Sequence, residues 1–152
     1  MQAPSRSKHR DLLAWVALAI FAAAIPAQAV EVTDLKGLED IYGRYAPAGD
    51  CKRQPRIVVD VTGLTFEVDG KTHKATKVEY AASYGPQDYA GIMKVIFPFT
   101  SANGWPVIMT FNADEKPGAL GIEGHDEGYQ GGPALSPFHQ ALVSASPYGR
   151  CK

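Results

Sequence analysis

The clearest pattern along the chain is an alternation. Leu64, Phe66 and Val68 are separated by Thr65, Glu67 and Asp69, the period of two expected of a half-buried strand. Asp69-Gly70 follows, a dipeptide favoured in two-residue hairpin turns because both central residues take positive φ. Lys71 to Ala75 is therefore predicted as the return strand, and that register sets His73 opposite Phe66 on one face.

Other strands read less sharply. Arg56 to Gly63 is a short β-branched run of the kind that suits a strand. Val78, Tyr80 and Ala82 share a face in the next segment, and Met93, Val95 and Phe97 are expected on the core face of another. Val107, Met109 and Phe111 alternate in a further strand, and Ala119 to Glu123 forms a short one. The connections are short, which favours antiparallel neighbours, because parallel pairs need long crossovers.

Two segments carry helical spacing instead. Leu35, Leu38, Ile41, Tyr42 and Tyr45 form one apolar stripe behind Thr33, a good N-cap, although Gly37 and Gly43 weaken it. At the other end Ser136 caps, Pro137 takes the first helical position, and Phe138, Ala141, Leu142 and Ala145 follow at helical spacing until Pro147 stops the run. The expectation is an α+β domain: an antiparallel meander of about six strands, with an N-terminal and a C-terminal helix packed on one face.

The first residues change the picture of where this domain works. Arg6, Lys8 and Arg10 precede an apolar run from Leu12 to Ile25, then Pro26 and the small-residue triplet Ala27-Gln28-Ala29. This is the layout of a secretory signal peptide cleaved after Ala29; the run falls short of the roughly 20 residues of a spanning helix. Residues 1–29 are read as the leader and 30–152 as a single compact domain. The destination is periplasmic or secreted, with no membrane insertion after cleavage.

Cleavage removes three of the 15 basic residues and one of the 16 acidic ones, leaving 12 against 15 and a net charge of −3. A nucleic-acid partner is not expected, since phosphate binding needs a basic surface. Cys51 and Cys151 both lie in the exported part and are expected to pair. In the chain-entropy model, closing a loop of about 100 residues stabilises by about 4.7 kcal/mol.

Candidate chemistry concentrates in one loop, Gly121 to Leu135. Glu123, His125, Asp126 and Glu127 lie close together there. The spacing matches no calcium loop and there is no HExxH, so neither a metal nor a cofactor is assigned. His125 is the one candidate general base, but no serine sits in a recognisable activating context, and the chain is read as a non-enzyme. The aromatics are more suggestive: Tyr84, Tyr89, Trp105 and Tyr129 all fall in predicted loops. Tyrosine and tryptophan dominate interface hot spots. Loops that gather at one end of the meander would place Tyr84, Tyr89, Trp105, His125, Asp126 and Tyr129 on one aromatic, mildly acidic binding surface.

In size, compartment and disulfide-tied style the chain resembles small exported inhibitors and immunity proteins of Gram-negative bacteria. No motif matches theirs and no residue is carried over. The function expected from these features is a small exported binding protein, inhibitor-like or immunity-like, that holds another protein of the periplasm or cell wall through its aromatic loops. The alternatives are a small envelope hydrolase or lyase using His125 as base, and a metal-binding envelope protein using the loop acids.

Overall fold

The computed structural model describes residues 29–81, 89–101, 104–124 and 133–152. They form ten strands: β1 (Val30–Val32), β2 (Gly43–Pro47), β3 (Arg56–Asp60), β4 (Gly63–Val68), β5 (Lys71–Ala75), β6 (Val78–Ala81), β7 (Lys94–Phe97), β8 (Val107–Phe111), β9 (Ala119–Gly124) and β10 (Tyr148–Arg150). One α-helix, α1 (Pro137–Ser144), accompanies them. All ten strands belong to a single antiparallel sheet in the order β1-β6-β7-β8-β9-β10-β2-β3-β4-β5, which curls into a half-barrel.

This corrects the α+β expectation: the molecule is mostly β, with ten strands rather than six and one short helix rather than two. The N-terminal helix does not form. Its stripe residues Leu35, Leu38, Ile41 and Tyr45 are buried, but they reach the core from an irregular turn, a single 3-10 turn at Glu39–Ile41, and β2. Gly37 and Gly43 take φ of 84° and 146°, values far from a helix. The tyrosine hydroxyls serve carbonyls that the missing helix would have paired: Tyr42 donates to Leu35 O and Tyr45 to Ile41 O, both at 2.8 Å.

The order is also not a simple meander. Two meanders, β6 to β9 and β2 to β5, are joined by β10, the last strand in sequence, which pairs with β9 on one side and β2 on the other. Cys51 and Cys151 form a disulfide beside this seam, with Cα atoms 5.7 Å apart across 100 residues of sequence.

The local hairpin forms as its turn chemistry dictates. Val68 pairs with Lys71 and Phe66 with His73 across a turn in which Asp69 and Gly70 have φ of 50° and 73°. Every step from β5 through the sheet to β6 is antiparallel, so β5 and β6 run in the same sense, with only Thr76 and Lys77 between them. Both linking residues are exposed, while Ala75 and Val78 on either side are buried. The two-residue kink thus keeps both strands' apolar residues inward while the chain passes from one flank of the sheet to the other. Gly63 (φ 125°) lies beneath this kink, where a Cβ would collide with the Ala75 carbonyl.

The concave face holds the main core, in which Phe66, Ile57, Leu64, Ile96, Met109, Phe111, Leu120 and Ile122 are fully buried. Helix α1 docks over it with Leu142 inward. Its start is as expected, Ser136 Oγ accepting the His139 N–H at 3.2 Å. In β7 the core residue is Ile96, whereas Val95 and Phe97 join Ala81 in a second, smaller cluster with Trp105 and Ile108. The strand is buried on both faces, which is why Val95 and Phe97 read as core positions.

Candidate functional site

The sheet has two differently built ends. At one end the β8–β9 turn meets the segment entering β7. Asn112, the buried polar residue of this end, adopts the left-handed conformation (φ 53°, ψ 39°). Its Nδ2 donates to Ile92 O at 3.1 Å and to Asp40 Oδ2 at 3.4 Å, and its Oδ1 accepts the Gly118 N–H at 2.9 Å. Lys94 pairs with the same Asp40 carboxylate at 3.4 Å. Arg150 donates to Asp40 O at 2.5 Å and to the Tyr45 hydroxyl at 3.0 Å, and lies over the Tyr45 ring. Tyr89 completes the network: its hydroxyl donates to the Glu115 carboxylate and accepts the Met93 N–H at 2.7 Å. Glu115 also accepts the Ile92 N–H at 2.9 Å, and this bond first, then that from the Tyr89 hydroxyl, holds its carboxyl below the usual carboxylate range.

At the other end the β4–β5 hairpin, the segment after β7 and the start of α1 converge. Three phenylalanines meet there: Phe66 and Phe99 at 5.1 Å, Phe99 and Phe138 at 5.6 Å, Phe66 and Phe138 at 6.0 Å between centroids. Two histidines flank them. The exposed His73 ring lies 4.2 Å from Phe138, and His139 lies 4.9 Å from Phe99. Burial, and then the His73 charge, hold His139 below its ordinary value. Its Nδ1 is buried and finds no hydrogen-bond partner among the described residues.

Beside this cluster runs an open groove of about 330 Å³ between β5 and α1. Val68 and Phe138 supply its apolar lining, Lys71 and His73 its basic wall, and Asp69 the one carboxylate. The groove follows the outer edge of β5, a terminal strand of the sheet. Neither histidine is hydrogen-bonded to a carboxylate among the described residues.

The predicted site residues are distributed as follows. Tyr89 is half-buried in the polar network at the first end. Trp105 is half-buried at the opposite end, two residues before β8, with its ring 4.5 Å from Phe97 on the convex side. The sheet does not bring these two together. Tyr84, His125, Asp126 and Tyr129 lie outside the described residues. The groove residues His73 and Phe138 were not among the predicted site residues. The signal was present, since the hairpin register already set His73 on the inward face, but the meeting with α1 is non-local.

A larger shallow groove of about 770 Å³ lies along the disulfide seam, lined by backbone at Gly49, Gly118 and Gly149. Arg150 in its wall is committed to Asp40 and Tyr45, while Asp50, Lys52 and Lys152 supply its other charges. No helix of the described residues is long and apolar enough to cross a membrane. No family model matches the chain, and no curated protein or solved structure matches it.

Proposed function

We propose that the protein is an exported binding protein of the bacterial envelope that holds a partner protein at the groove between β5 and α1. The leader-like N-terminus and the disulfide support the compartment, because disulfides persist in oxidising surroundings. The observation that carries the reading is the groove itself: an apolar floor with a few polar groups at its rim, the composition of a recognition site. The polar network at the other end is internally satisfied and leaves few groups to recognise anything.

The test is site-specific photo-crosslinking in the cell. A crosslinking residue in place of His73 is expected to yield one discrete adduct, and the same residue in place of exposed Lys116 at the network end is expected to yield none. Adducts from position 116 with none from position 73 would overturn the assignment.

A further inference from the structure

We infer that the partner is captured as an added strand: an extended, acidic segment pairs with the free edge of β5 and places a side chain in the groove. This rests on the groove being the contact surface, and it names the partner's chemistry and the geometry of contact.

Val68 and Lys71 flank a two-residue turn, and in such a hairpin the flanking pair exchanges both hydrogen bonds. By alternation His73 and Ala75 also bond inward to β4, so Thr72 and Lys74 turn their N–H and C=O groups outward. Among the described residues no strand lies beyond β5 in the sheet. An incoming strand that pairs with Thr72 and Lys74 would therefore complete the ladder, which is how extended peptides add to sheet edges.

The side chains then select the sequence. Lys71, Thr72, His73 and Lys74 are all exposed. Glu67, the carboxylate opposite Thr72 on β4, is bonded to Arg56 at 2.7 Å, so it does not neutralise the edge. Lys74 has Asp60 within electrostatic reach, where it helps hold that carboxyl below its usual range after the hydrogen bonds from Thr62. Lys71 forms no ion pair among the described residues. Edge lysines are a common defence against self-pairing. Here they oppose a second copy, because lysine would face lysine, while an acidic strand meets the opposite charge; the same residues reject one partner and admit another. An incoming residue facing His73 points into the groove toward Phe138, where an apolar side chain fits. Residues facing Lys71 and Lys74 are suited to glutamate or aspartate.

The experiment is an NMR titration of the disulfide-bonded exported protein. The probe is a blocked hexapeptide of threonines with valine at position three and glutamates at positions two and five. The expected result is saturable movement of the Thr72 and Lys74 backbone amides. A control peptide with lysines for the glutamates should bind at least about tenfold more weakly, and combined Lys71→Glu and Lys74→Glu should reverse that preference. Thr72→Pro removes an outward N–H without touching the ladder to β4 and should abolish the response. Should that variant misfold, a peptide N-methylated at the bond facing Thr72 removes a hydrogen bond from the ligand side and carries the same expectation. Unmoved Thr72 and Lys74 amides at millimolar acidic peptide, or equal binding of the lysine peptide, would overturn strand addition. Adducts from position 73 would still stand in that case, so the two readings fail separately.

Discussion

The two ends of the sheet solve opposite problems. At the network end, Asn112, Asp40, Lys94, Arg150, Tyr45, Tyr89 and Glu115 meet one another in hydrogen bonds and ion pairs. At the groove end, among the described residues, His139 Nδ1 is buried without a partner, His73 is exposed, and the edge of β5 has no neighbouring strand. Polar groups satisfied within the fold stabilise it; polar groups left open cost stability and are retained where they meet something else. The contrast separates a part of the molecule whose polar groups hold the fold from a part whose polar groups are left open among the described residues.

The comparison is open to experiment from both sides. Asn112→Ala should have the largest effect. It strands the buried Gly118 N–H and Ile92 C=O and leaves alanine in a left-handed conformation, for a loss of about 4 kcal/mol in denaturant unfolding. Arg150→Met keeps the apolar stem but loses the bonds to Asp40 O and Tyr45, for a loss of about 2 kcal/mol. Neither change should alter crosslinking from position 73 in protein that remains folded; if either did, the division between the ends would fail.

His139→Leu should act in the other direction, stabilising by about 1 kcal/mol because it removes a buried nitrogen that has no partner among the described residues. It also carries a pH signature. The folded state holds His139 below its ordinary value through burial and then the His73 charge, so the unfolded chain binds that proton more readily. Stability is therefore complete above about pH 6.5, the unfolded value, and falls as the pH drops below it. The fall ends once the folded imidazole is itself protonated. Unfolding midpoints measured between about pH 5 and 7.5 should rise with pH in the parent and flatten in the leucine variant. His73→Ala should have the smallest effect on stability, within about 0.5 kcal/mol as for other exposed positions, while weakening peptide capture most.

How much of this was legible in the sequence depends on how local each signal is. The β4–β5 hairpin is fixed by Asp69-Gly70 and the alternation around it, and its register could be read from twelve consecutive residues. Helix α1 carries its own cap and first-turn proline. The alternation of Val107, Met109 and Phe111 correctly marks a strand with one face in the core. The N-terminal segment misleads because Leu35, Leu38 and Ile41 can be buried equally well by a helix or by a turn that delivers them one at a time. Only the conformations of Gly37 and Gly43 decide between these, and the sequence does not show them. β10 is three residues long, and its partners lie far away in the chain. The groove was hidden for the same reason, because it needs the Phe138 ring to reach His73 across more than sixty residues of sequence.

The position of β10 makes three residues the keystone of the sheet. Tyr148–Arg150 supply the rung that β9 and β2 share, and without it each of those strands would present a raw edge. Cys151 follows directly, so the sulfur bond to Cys51 clamps the chain at the place where the two halves of the sheet meet.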